Sequence, residues 1–182
     1  MAGTTEEIFY SRRLPKATDV LHHIEILDTP TELHSGGKSH VIIDVISMLT
    51  DSILRTQILF DMKQELFPFT NELSSSAFTA SKEHKVSPTI VGIETGGALL
   101  AMAFAAMSEF PYGIYRKDGT LIMPKFKEET LDRPVILVDD VITTGNSLKQ
   151  AQECLELNGF HVVNSYAVVD RRAIGKKKAY KK

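Results

Sequence analysis

VILVDDVITTGNSL, residues 135–148, runs four apolar residues into two adjacent aspartates and then into a stretch of hydroxyl side chains and a glycine. The apolar run bounded by polar residues predicts a buried strand, with Asp139 and Asp140 following it, where a carboxylate can face a ligand instead of the core. Taken alone, the acids could be a turn or capping pair, since Asp often ends strands and begins helices. The residues that follow add a second requirement. Thr143, Thr144, Gly145, Asn146 and Ser147 bring hydroxyls and closely spaced amide N–H groups to the start of a predicted helix. Such a terminus, with free N–H groups and the positive end of the helix dipole, suits a phosphate. Acids beside an anion site would repel the anion unless they accept hydrogen bonds from sugar hydroxyls or lie near a divalent cation. A ribose carrying a 5′-phosphate satisfies both halves.

Outward from this stretch, strands and helices alternate. TIVGI (89–93), YGIYR (112–116), PVILVDD (134–140) and HVVNSYAVVD (161–170) read as strands, and GALLAMAFAAM (97–107) and SLKQAQECLELN (147–158) as helices. This spacing predicts an α/β fold, a parallel sheet with helices on both faces. Ligands in such sheets bind beyond the carboxyl ends of the strands. The unusual residues Glu94–Gly97, Asp139–Ser147 and Asp170–Arg171 all fall at those ends. Further upstream, 17–27 reads as a short helix and VIIDVIS (41–47) as a strand. A long helix is expected from Leu49 to about Leu66, closed by Pro68, and 71–88 fits either a frayed helix or a loop. No repeat or linker divides the 182 residues, so a single domain over 1–182 is expected: 1–47 an N-terminal segment, 48–172 the core and 173–182 a basic tail.

The bulk composition narrows the partners. Lys and Arg number 21 against 23 Asp and Glu, a net charge of −2 that gives no reason to expect nucleic acid. The tail GKKKAYKK (175–182) reads as a solvated terminus. A single cysteine, Cys154, excludes a disulfide framework, and its helical spacing from apolar neighbours predicts a packed thiol. MAGTTEEIFY lacks the layout of a secretory signal, and the longest apolar run is far shorter than the ~20 residues a membrane span needs. Cytoplasmic residence and no membrane partner are the resulting expectations. SGGKS (35–39) invites a Walker reading, but the first glycine of that motif would fall on Glu32, so the spacing fails.

Taken whole, VILVDDVITTGNS resembles the signature by which type I phosphoribosyltransferases bind 5-phosphoribosyl 1-diphosphate (PRPP). The resemblance implies that Asp139 and Asp140 hold the ribose hydroxyls and that Thr143–Ser147 hold the 5′-phosphate. It also implies a Rossmann-like sheet with a small N-terminal hood over the base. Three further segments are similar to orotate phosphoribosyltransferases, in the family's order. TELHSGGKSHVIIDV (31–45) resembles their base-side segment, with Leu33, Ser35, Gly36, Ser39 and Asp44 matching and His34 in place of the usual lysine. VGIETGGALLA (91–101) resembles the pyrophosphate loop, here Glu94, Thr95, Gly96 and Gly97. VVDRR (168–172) resembles the Asp-Arg pair whose arginine, here Arg171, contacts the orotate carboxylate.

The activity implied is transfer of phosphoribosyl from PRPP to orotate, giving orotidine 5′-monophosphate and pyrophosphate. Mg2+ would be held mainly by PRPP and water, with no direct protein ligand, and the enzyme would be a homodimer. His34, Ser35, Gly36 and Arg171 would bind the base, while Arg116 and Lys117 join Asp139 and Asp140 as catalytic groups. The family's catalytic loop reads R-K-x-x-K-x-H-G. Here YRKDGTLIMPKF (115–126) keeps Arg116 and Lys117 but has no counterpart of the second lysine or the histidine, so slow turnover is expected. Lys125 or Lys127 could substitute only if the loop folds differently. The alternatives are a purine or other-base phosphoribosyltransferase, and a catalytically impaired regulatory protein that binds PRPP or a nucleotide.

Overall fold

The structure, a computed structural model, describes residues 22–32, 38–75, 87–125 and 134–171, with only the backbone described for 67–75. Its centre is a five-stranded sheet in the order β5-β4-β3-β6-β7. The strands are β3 (Thr89–Ile93), β4 (Tyr112–Tyr115), β5 (Leu121–Ile122), β6 (Pro134–Ile142) and β7 (His161–Asp170). β4, β3, β6 and β7 run parallel, and β5 is an antiparallel edge strand hydrogen-bonded to β4. A separate antiparallel hairpin, β1 (Ile24–Glu32) with β2 (Lys38–Ile43), forms the N-terminal hood.

Alternation along the central strands divides the core into two layers. Ile90 of β3, with Ile136 and Val138 of β6, faces a cluster built from α1 (Val45–Thr50), α2 (Ser52–Ser75) and α3 (Gly96–Ser108), including Met62, Leu66 and Phe104. Val91 and Ile93, with Val135 and Leu137, face the opposite cluster, closed by Ala151 and Leu155 of α4 (Asn146–Leu157). Because both faces are covered, β3 and β6 are apolar on both, and β3 is buried throughout. α3 carries the chain from β3 to β4 on one side, and α4 carries it from β6 to β7 on the other. The strand order therefore reverses between β3 and β6, and a crevice opens beyond their carboxyl ends.

The N-terminal third departs from the sequence expectation. Residues 24–27, expected to be helical, belong to β1 and residues 22 and 23 form a turn before it; the rest of the expected helix, 17–21, lies outside the described residues. The spacing of Ile24 and Leu27 mimics a helix, but pairing with β2 satisfies the backbone and leaves Ile26 largely exposed. The strand expected over 41–47 stops at Ile43 because Asp44 caps α1, its carboxylate accepting a hydrogen bond from Ser47 N at 2.9 Å. Nor is there one long helix from Leu49. The chain breaks at Asp51, whose carboxylate accepts bonds from Ile53 N and Leu54 N at 2.8 and 2.9 Å and so starts α2. Those bonds hold the Asp51 carboxyl below its ordinary range. Pro68 does not close α2, which continues to Ser75. A proline forfeits one backbone bond and costs about 3 kcal/mol, while burial of Leu54, Met62 and Leu66 stabilises the helix by about 1.5–3 kcal/mol each.

Candidate active site

β6 extends two residues beyond the aspartates. Asp139 and Asp140 therefore lie inside the strand rather than after it, Asp139 opposite Ala167 of β7. Asp139 is buried and accepts a bond from Asp140 N at 2.9 Å, and Asp140, half-buried, accepts one from Val141 N at 2.9 Å. Burial, reinforced by the neighbouring Asp140 carboxyl, pushes the Asp139 carboxyl up to about 7, against the pull of the Lys117 ammonium.

That shift has a consequence for stability. An unfolded aspartate releases its proton near 3.8, whereas folded Asp139 keeps it to about 7, so the folded chain binds more protons across that window. The unfolding free energy of the unliganded chain is thus expected to fall as pH rises from about 4 to 7. The loss is a few kcal/mol at ~1.4 kcal/mol per unit of pKa shift. Asp139→Asn is expected to flatten the curve, as denaturant titrations at several pH values would show. An equal slope in both chains would remove Asp139 as its cause.

After β6, Thr143–Gly145 turn the chain into α4. Gly145 sits at the helix N-cap with φ 86°, a left-handed conformation that other residues adopt at a cost, and gives no side-chain cap. Asn146 N donates to Thr144 Oγ1 at 3.3 Å, and Thr144, Asn146 and Ser147 are exposed. First-turn amides of a helix have no intrahelical acceptor, so this end of α4 presents donors to the crevice.

Across the crevice, Glu94 and Thr95 link β3 to α3, Glu94 N donating to Tyr115 O at 2.9 Å. The Glu94–Thr95 peptide bond is cis. Gly96 and Gly97 open α3 and are buried. The Asp140 side chain lies so close over Gly96 that a Cβ there would collide with its Cβ, Cγ and Oδ2. The start of α3 and the acidic pair are therefore one packed unit.

Arg116 and Lys117 follow β4 and are exposed. They begin a closed hairpin. Gly119 N donates to Arg116 O and Arg116 N to Thr120 O, both at 2.9 Å, and Thr120 N donates to the Asp118 carboxylate at 2.8 Å. Lys117 is near enough for its charge to act on Asp139. Lys125 is exposed beyond the hairpin, and Lys127 lies outside the described residues. Cys154 of α4 packs in the second core layer, its thiol 3.7 Å from the Gly119 carbonyl.

At the end of β7, Arg171 points to the hood. Its Nη2 donates to Ser39 Oγ at 2.7 Å and its Nη1 to the Val41 carbonyl at 3.4 Å. His34, Ser35 and Gly36 lie outside the described residues. A cleft of about 560 Å3 separates the hood from the acidic pair, lined among others by His23, Ile43, Asp44, Ser47 and Asp140. Of these, His23 was missed in the sequence because its stretch reads as a helix. Its Nδ1 lies 2.9 Å from Ser47 Oγ.

The model of the phosphoribosyl transferase domain matches residues 70–182, from within α2 through β7 and beyond. The chain belongs to this family. Its relatives include orotate phosphoribosyltransferases. The Thermoplasma acidophilum enzyme of that name is 41% identical over 95 residues, 49% of this chain and 53% of its own length. The orotate phosphoribosyltransferase of Thermoplasma volcanium is 31% identical over 148 residues, 80% of this chain and 77% of the relative. The crystal structure of orotate phosphoribosyltransferase from Aeropyrum pernix superposes with a TM-score of 0.60 at 27% identity, covering 82% of this chain and 77% of that chain. The match to the first of these spans about half of that enzyme's length. Among the described residues, no helix is long and apolar enough to cross a membrane.

Proposed function

We propose that this phosphoribosyltransferase transfers the phosphoribosyl group of PRPP to orotate, releasing pyrophosphate. The reading rests above all on one arrangement, the Asp139–Asp140 pair set between the starts of α3 and α4 in the crevice between β3 and β6. The carboxylates accept hydrogen bonds from the ribose hydroxyls, and the amides of the 143–147 turn take the 5′-phosphate. Glu94–Gly97 carries the diphosphate. Attack by a base nitrogen at the anomeric carbon passes through an oxocarbenium-like state, so the protein's work is positioning and charge stabilisation. Arg116 and Lys117 face the departing diphosphate. Mg2+ would be carried by the diphosphate and water, where its charge neutralises the leaving group. The base enters beneath the hood, and Arg171, held against β2 of the hood, supplies a planar cation for the orotate carboxylate. A homodimer, and residence in the cytoplasm, complete the reading.

The test is a PRPP- and Mg2+-dependent pyrophosphate-release assay over a panel of bases. Orotate is expected to support turnover and adenine or guanine not to. Preference for a purine would replace the orotate reading, and PRPP binding with no release from any base would favour a regulatory role. The missing loop lysine and histidine are each expected to cost on the order of 10²–10³-fold in kcat, by analogy with loss of one transition-state donor. A kcat equal to that of a family member with a complete loop would contradict this. Arg171→Ala is expected to raise KM for orotate roughly 10–100-fold, the scale of a lost charged hydrogen bond. Unchanged orotate kinetics would take Arg171 out of the base site.

A further inference from the structure

The hood and the end of β7 meet at a polar cluster whose members, on β2 and at Arg171, are 130 and 132 positions apart in the chain. Ser39, in β2, is only 7% exposed, and every valence of its hydroxyl is committed. Its Oγ donates to the Val41 carbonyl at 2.9 Å, and accepts from Val41 N at 3.0 Å and from Arg171 Nη2 at 2.7 Å. A hydroxyl has one proton and two lone pairs, so toward Arg171 this one acts only as an acceptor, the role that a guanidinium requires. Arg171 Nη1 adds a longer bond to the Val41 carbonyl. Among the described residues two of the five guanidinium N–H groups are spent on β2, which leaves three, enough for a bidentate carboxylate.

We propose that Ser39 is a positioning residue, which fixes the Arg171 guanidinium against the hood so that its remaining donors stand ready for the carboxylate of the incoming base. This rests on the orotate reading above and adds a residue to it. A long arginine chain loses much rotamer freedom when it is ordered, and an anchor already in place spares the substrate that cost. Because the anchor lies on β2, ordering Arg171 also holds the hood over the cleft. Ser39 touches no reacting atom, so its removal should weaken base capture far more than the chemical step.

The experiment compares Ser39→Ala and Ser39→Thr in the full chain. Ser39→Ala is expected to raise KM for orotate roughly tenfold or more, the lower scale of a hydrogen bond to a charged group, with KM for PRPP within about twofold. Ser39→Thr, which keeps the hydroxyl in a strand that favours β-branched residues, is expected to restore orotate KM. The Arg171 side-chain NMR signal is expected to be protected from exchange in the unaltered and Thr chains and averaged in the Ala chain. Orotate KM unchanged by Ser39→Ala, in an unaltered chain that turns over orotate, overturns this inference alone. So does a parallel rise in both KM values with a lowered Tm, which marks a merely structural role. Absence of orotate turnover in the unaltered chain overturns the orotate reading and this inference together.

Discussion

Asp139→Asn combined with Asp140→Asn is expected to lower kcat/KM for PRPP by at least about 10³-fold while leaving the chain as stable as before, or more so, at pH 8. The two effects have one cause. The pair is destabilising in the empty protein, because a buried carboxyl stands beside a second one and is held protonated up to about pH 7. Asparagine keeps the shape and removes that penalty. It also removes the negative charge that faces the ribose as positive charge develops at the anomeric carbon, where loss of a single aligned group costs roughly 10²–10³-fold. A site that costs stability for the sake of binding is a common compromise. Parallel measurement of kcat/KM and Tm checks it. A variant less stable at pH 8 with kinetics near normal would assign the aspartates to the fold instead.

Gly96→Ala is expected to be nearly as damaging, for a steric reason. The added methyl would occupy the volume of the Asp140 side chain, including its Cβ, so rotation of the carboxylate alone cannot relieve the clash. Asp140 also accepts a bond from Val141 N, which ties its position to the strand. Something must shift, either the start of α3 or the carboxylate, and a displacement near 1 Å in a positioned group can cost about 10²-fold. A loss of kcat/KM of that order is expected, with circular dichroism unchanged. Activity within threefold of the unaltered chain would show that α3 and the acidic pair move independently.

What the sequence discloses, and what it hides, follows from the range of the forces involved. The β6–α4 stretch is legible because its signals are local: an apolar run, two acids, and a glycine at a turn that needs φ 86°. Alternation of strands and helices from Thr89 onward predicts the parallel sheet for the same reason, each element burying its own apolar face. The first part of the chain misleads because its elements are decided by partners or by single caps. Ile24–Leu27 has helical spacing, yet pairing with β2 makes it a strand, and Asp44 and Asp51 break what periodicity reads as continuous elements. The aspartates sit two residues inside β6, a distinction too fine for residue pattern alone. The contacts of Asp140 with Gly96 and of Arg171 with Ser39 span 44 and 132 positions, and nothing local announces them. The closed Arg116–Thr120 hairpin is not announced either, since the resemblance to the catalytic loop rests on Arg116 and Lys117 while Asp118 and Gly119 fold the stretch into a turn.

The most direct measurement is a crystal structure of the full chain with PRPP and Mg2+. The ribose 2′ and 3′ hydroxyls are expected on the Asp139 and Asp140 carboxylates, with the 5′-phosphate on the amides of residues 144–147 and the diphosphate beside Gly96. A PRPP molecule bound with its 5′-phosphate away from the α4 terminus, or anywhere outside the crevice between β3 and β6, would contradict the assignment.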